Sequence, residues 1–141
     1  MTVKNRVAFA AALAVALAGV AGCSQQEIRS QAGASVTIDG KDQGKTQDIK
    51  CSQLQSSWFL DIRQVASTAT AIVDLEGDKA VLQSVKIRGF GGFTGSYWRG
   101  GDQSADATFS NQTFTISGTA SGLTAGNPKS GPVTFKIVAK C

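Results

Sequence analysis

From Val36 onward, apolar residues recur at every second position in short runs, with turn residues between them. That period of two places one face of each run against a core and the other toward water, which is the pattern of a half-buried β-strand. Val36-Thr37-Ile38 precedes a turn at Asp39-Gly40-Lys41-Asp42, and a second strand is expected near Gln47 to Ser52. Trp58, Leu60 and Ile62 alternate with Phe59, Asp61 and Arg63. Thr70 to Leu75 leads through Glu76-Gly77-Asp78-Lys79, a tight hairpin signal, into Val81, Gln83, Val85 and Ile87, which alternate with Leu82, Ser84, Lys86 and Arg88. Phe93 to Trp98 follows. Ala105 to Phe109 and Thr113 to Gly118 flank Asn111-Gln112, and Val133, Phe135 and Ile137 alternate to the end. Only Gly122 to Gly126 carries a weak helical-turn pattern. The pattern predicts an all-β chain, an antiparallel β-sandwich or sandwich-like barrel of about eight or nine short strands with one disulfide.

The first residues have a different logic. Lys4 and Arg6 form a positive start, Val7 to Val20 is apolar and glycine-containing, and Val20-Ala21-Gly22-Cys23 is a small-residue cleavage site ending in cysteine. This reads as a lipoprotein signal peptide over residues 1–22, whose apolar run is too short for a comfortable membrane span. Cleavage leaves Cys23 as the new N-terminus, with acyl chains on its thiol. Each buried methylene contributes about 0.8 kcal/mol, so two chains make a lasting membrane anchor. Residues 23–35 read as the lipidated cysteine and a polar tether, about 40 Å when fully extended. The β domain is expected over 36–141, at the extracytoplasmic face of the cell membrane or envelope.

Cys51 and Cys141 remain, an even pair in an exported chain, where disulfides persist. A bond between them is expected, and two free buried thiols are the alternative. Closing so long a loop stabilises by roughly 4–5 kcal/mol in the chain-entropy picture.

Composition narrows the chemistry. The formal charge is +4, but the signal peptide holds Lys4 and Arg6, so the mature excess is +2. No run of like charge suggests nucleic-acid binding. With no histidine in the chain, the commonest general base and metal ligand is missing, and no enzyme activity, cofactor or metal site is expected. Asp74-Leu75-Glu76-Gly77-Asp78 brings carboxylates together, yet it reads better as a solvated hairpin tip than as a calcium loop.

The segment 89–101 interleaves glycines with aromatics. Phe90, Phe93, Tyr97, Trp98 and Arg99 are candidate ligand contacts, able to stack an envelope glycolipid, lipid headgroup or saccharide. The competing reading is that the glycines permit bulges and the aromatics fill the core. The core reading is preferred, and it predicts that Trp98→Ala costs roughly 3–5 kcal/mol.

Taken in order, a lipobox cysteine, a polar tether, Val36-Thr37-Ile38-Asp39-Gly40-Lys41-Asp42-Gln43, Cys51, a glycine-rich middle, Ile116-Ser117-Gly118-Thr119-Ala120-Ser121-Gly122, Asn127-Pro128 and a last strand ending in Cys141 resemble the mycobacterial nineteen-kilodalton lipoprotein antigen (LpqH-like) family, in a shorter paralogous branch. The resemblance implies a non-enzymatic actinobacterial envelope lipoprotein. It also implies an adhesin-like antigen whose acylated N-terminus is recognised by host Toll-like receptor 2, and only Cys23 carries that role over. The family antigen's long, Thr-rich, mannosylated tether has no counterpart, since Ser24, Ser30 and Ser35 are the tether's only hydroxyls.

Overall fold

A computed structural model describes residues 32–141. Cys23, the signal segment and most of the expected tether lie outside the described residues.

Every element described is a strand, and there are ten. They are β1 (Gly33–Ile38), β2 (Lys41–Thr46), β3 (Ile49–Leu54), β4 (Ser57–Gln64), β5 (Ser67–Glu76), β6 (Lys79–Phe90), β7 (Phe93–Trp98), β8 (Ala105–Ser110), β9 (Thr113–Thr124) and β10 (Asn127–Lys140). All pair antiparallel in one sheet, in the order β2-β1-β10-β9-β7-β6-β5-β4-β3, with β8 on β9. β7 and β8 share one edge of β9, on its C-terminal and N-terminal halves. The sheet curls into a nearly closed barrel.

Closure takes place where the two ends of this path meet. Thr46 Oγ1 of β2 donates to the Arg63 carbonyl (2.7 Å), and Gln64 Nε2 donates to the Gln43 carbonyl (3.1 Å). The Arg63 N–H donates to the Asp48 carbonyl (2.9 Å) in the short link between β2 and β3. The covalent bond does the rest. Cys51 on β3 and Cys141 just after β10 are joined, with Cα atoms 5.9 Å apart. Each hydrogen bond contributes about 0.5–1.5 kcal/mol net, so the disulfide outweighs any one of them.

The inward phase of the strands fills the barrel. Val36, Leu60, Ile62, Val73, Val85, Ile87, Phe90, Phe93, Phe114, Ile116 and Ile137 are all essentially inaccessible to water, and among the described residues no polar or charged side chain is buried with them. Trp58 closes one end of this core, its ring 5.5 Å from that of Phe114 and 6.0 Å from that of Phe109. Ala34 pairs with Ala139, and Ala139 with Phe114. The start of β1 therefore lies at the barrel end that carries the Trp58 cluster, the Asn111-Gln112 turn and the disulfide.

The structure differs from the sequence pattern at four points. β1 begins at Gly33 rather than Val36, because Gly33 to Ser35 pair with Lys140 to Val138. Lys41 and Asp42 belong to β2, so the turn is Asp39-Gly40 alone, both at positive φ. Gly122 to Thr124 extend β9 and turn through Ala125-Gly126 into β10, with no helical turn. A bulge at Gln83 shifts the phase of β6, so that Leu82 is buried while Val81 is only partly covered.

Two glycines of β9 are required by close approach. A Cβ on Gly122 would strike the Thr94 carbonyl and the backbone of Gly95, its partner across the sheet. A Cβ on Gly118 would strike Ala105 of β8. Gly122→Ala should therefore cost about 1–3 kcal/mol by overpacking. Gly131→Ala, with open space around its Cβ, should lie within about 0.5 kcal/mol of wild type. Denaturant midpoints of the two variants check this. Removing both Cys51 and Cys141 should lower stability by about 4–5 kcal/mol, and non-reducing peptide mapping of wild type should recover the two cysteines in one linked peptide pair.

Candidate functional site

The glycine and aromatic segment divides by strand phase. Phe93, Gly95 and Tyr97 take the inward positions of β7, so Trp98 must point out. Phe90 ends β6 and also points inward, across the Gly91-Gly92 turn at positive φ. Phe90, Phe93 and Tyr97 are buried core residues and offer no face to a ligand. Trp98 is 60 % exposed, so the expectation that it fills the core is corrected. Arg99 is exposed just beyond β7, its N–H donating to the Gln83 carbonyl (2.9 Å). As an accessible platform, the segment reduces to Trp98 and Arg99.

Trp98 belongs to a different set of residues. It pairs with Ser84, Ser84 with Ile72, Ile72 with Phe59 and Phe59 with Ser52, an outward row across β3 to β7. Phe59 is 38 % exposed and Ile72 is half-buried. Two residues along the strands lies the row Lys50, Asp61, Thr70, Lys86 and Ser96, and two further lies Arg63, Thr68, Arg88 and Thr94. A groove of about 480 Å³ runs between the first two rows, lined by Phe59, Ile72, Trp98, Lys50 and Lys86 among others. Apolar walls with a few charged groups at the rim are what small-molecule and lipid sites share. Sequence reading missed Phe59 and Ile72 as surface residues: Phe59 shares the outward phase of β4 with Asp61 and Arg63, and the run Thr70 to Leu75 showed no phase that set Ile72 outside.

Charges on this face are distinct in their engagement. Asp61 accepts from Arg63 Nη2 at 2.8 Å. The hydrogen bond to Asp61, and then its negative charge, hold the Arg63 guanidinium even more firmly protonated than usual. Asp74 accepts from Ser57 Oγ (2.6 Å) and Gln83 Nε2 (2.8 Å), so this carboxylate organises the outer face beside the bulge. The turn after it, Gly77-Asp78, is a hairpin tip with Gly77 at positive φ. Among the described residues, no three His, Cys, Asp or Glu side chains gather in a metal-binding group.

Comparison with known proteins then decides the family. Residues 27–141 match the family described as Mycobacterium 19 kDa lipoprotein antigen. The chain belongs to this family. Among its relatives, a putative lipoprotein of Mycobacterium indicus pranii is 40% identical over 98% of this chain and 99% of its own length. The probable lipoprotein LppE of Mycobacterium tuberculosis is 39% identical over 90% of this chain and 91% of its own. The lipoprotein LpqH of the same species is 32% identical over 93% of this chain and 94% of its own. The 19 kDa antigen family is thus one of lipoproteins, which supports association with a membrane or envelope. In this chain, the Ile116-to-Gly122 segment contains both glycines on which the crowding around β9 depends.

The division of the aromatics has a direct test. Phe93→Ala should cost about 3–5 kcal/mol, because it empties the sealed core. Trp98→Ala should cost under about 1 kcal/mol, because the ring is mostly in water. Chemical denaturation of both variants gives the comparison.

Proposed function

We propose that this member of the 19 kDa antigen family is a non-enzymatic lipoprotein, anchored through acylated Cys23 at the extracytoplasmic face of the membrane and displaying its β domain there. The observation that carries the reading is the order Lys4 and Arg6, the apolar run 7–20, then Val20-Ala21-Gly22-Cys23, immediately ahead of a chain whose family is named for lipoproteins. Signal peptide 1–22, lipidated cysteine and tether, and β domain follow one another, with the domain starting at Gly33.

Lack of catalysis is supported by the residues available. The chain has no histidine, Cys51 and Cys141 are bonded to each other, and the barrel interior is apolar. A nucleophile with a neighbouring base has nowhere to sit in such a core.

In a host, the acylated Cys23 would be the element recognised by Toll-like receptor 2, and the exposed domain would act as an adhesin-like antigen. Family membership and the lipobox support this. Recognition of that kind needs the lipid and is indifferent to most of the barrel surface.

Cys23→Ala tests the anchor. The variant should remain uncleaved or enter the medium without lipid, while wild type partitions into detergent and takes up a fatty-acid probe. Receptor activation should fall to background with the same variant. Equal probe incorporation in wild type and Cys23→Ala would disprove acylation at this residue.

A further inference from the structure

We propose that the outer face of β3 to β7 docks against anionic phospholipid with its strands inclined to the bilayer, the apolar band at the acyl boundary and the cations toward the headgroups, which holds the domain against the membrane that anchors it. The proposal rests on the lipid anchor at Cys23. It adds an orientation, a lipid charge class and a set of contacting residues.

Three observations converge on this face. The first is its gradient. Leu54, Phe59, Ile72 and Trp98 form an outward apolar band; Leu54 is 68 % exposed and Trp98 60 %. Lys50 and Lys86 lie about 7 Å away along the strands, and Arg63 and Arg88 about 7 Å farther still. Apolar and aromatic groups followed by cations at this spacing match the passage from acyl chain to phosphate across a bilayer interface, where amphipathic elements sink about 5–10 Å. Aromatic rings favour that boundary, and lysine and arginine extend from it toward the headgroups.

The second observation is charge. Four cations stand on this face against Asp61 and Asp74. Asp61 is paired with Arg63, while Asp74 accepts only from the neutral Ser57 and Gln83, which leaves the cations of this face in excess by four to two. Among the described residues Lys50, Lys86 and Arg88 enter no ion pair, so their charge is open to lipid phosphates. Each basic residue near an anionic surface contributes on the order of 1 kcal/mol.

The third is where the chain leaves. Phe59 follows Trp58, whose ring packs on Phe114 at the level of Ala34. The apolar band therefore lies toward the barrel end from which the chain runs to Cys23. The ten residue steps from Cys23 to Gly33 span about 35 Å at most. That keeps the face within reach of the bilayer and makes docking an intramolecular event at high effective concentration.

The test uses the mature lipidated chain in phosphatidylcholine vesicles, with or without phosphatidylglycerol, containing lipid brominated near the glycerol end of the acyl chain. Trp98→Phe supplies the background from Trp58. Trp98 fluorescence should be quenched in the anionic vesicles and not in the neutral ones, while the protein sediments with both. Lys50→Glu/Lys86→Glu/Arg88→Glu should reduce quenching to the Trp98→Phe background with sedimentation unchanged. The wild-type comparison of anionic and neutral vesicles stands alone should that triple variant fail to fold. Sedimentation without Trp98 quenching, or equal quenching in both vesicles, overturns the docking and leaves the anchor intact. Failure to sediment overturns the anchor, and docking with it. A Trp98 emission shift produced by soluble heparin or by self-association in detergent, with none on anionic vesicles, assigns the face to a glycan or a second copy and overturns the proposal.

Discussion

The barrel depends on closing its sheet, and one covalent bond helps to do so. From β2 round to β3 each strand has neighbours on a hydrogen-bonded ladder, but the meeting of those two ends has only a few isolated bonds, at Thr46, Asp48 and Gln64. The Cys51–Cys141 bond ties β3, one end of the path, to the end of β10, two strands in from the other end. An open sheet with Ile62, Ile87 and Phe114 on one face would expose them to water, so closure is what turns a curved sheet into a sealed apolar interior. The cost of sealing shows in one place. The Trp58 Nε1–H is buried without a hydrogen-bond partner beside the two phenylalanine rings. An unmet donor of this kind costs about 1–3 kcal/mol, which the packing of three aromatic rings has to offset.

Where strong alternation met ordinary pairing, the strands could be read from the residues. β4, the end of β6 and the end of β10 are of this kind, each with bulky residues on one phase and, Phe59 and Val138 apart, mostly charged or hydroxyl residues on the other. The turns at Asn111-Gln112 and Gly77-Asp78 were legible for the same local reason, since their residues tolerate positive φ. β2 was not. Lys-Asp-Gln-Gly-Lys-Thr has no apolar residue because an edge strand over the closure buries neither face, and only pairing with β1 makes it a strand. The bulge at Gln83 was equally hidden, since one extra residue leaves the local composition unchanged and reverses which side chains face inward.

The candidate site shows the same limit in a sharper form. Glycine-rich surroundings drew attention to Phe90, Phe93, Tyr97 and Trp98 as a group, yet the barrel separates them across its wall. Counting inward positions from Phe93 places Tyr97 inside and Trp98 outside without any further information. What no local pattern supplies is the company Trp98 keeps. Phe59 and Ile72 lie 39 and 26 positions earlier in the chain and meet it only through the register of β4, β5, β6 and β7. A surface assembled from four strands is a property of pairing, and composition within any one of them looks unremarkable.

β1 has β2 and β10 as its neighbours, and Gly33 pairs with Lys140 at the far end of the domain. For a chain that emerges N-terminus first, through a ribosome tunnel or a translocon, this pairing imposes a waiting period. Val36 and Ile38 stand on a two-stranded hairpin, and Cys51 lacks its partner Cys141, until β10 arrives. Two-stranded hairpins are marginal in water, and long-range pairings form late. During that interval the nascent domain would be a client for holdase chaperones, and the Cys51 thiolate could exchange into a disulfide of another protein, releasing that protein's second sulfur as a thiolate. How quickly the last strand follows the first thus sets how long β1 and Cys51 wait for their partners.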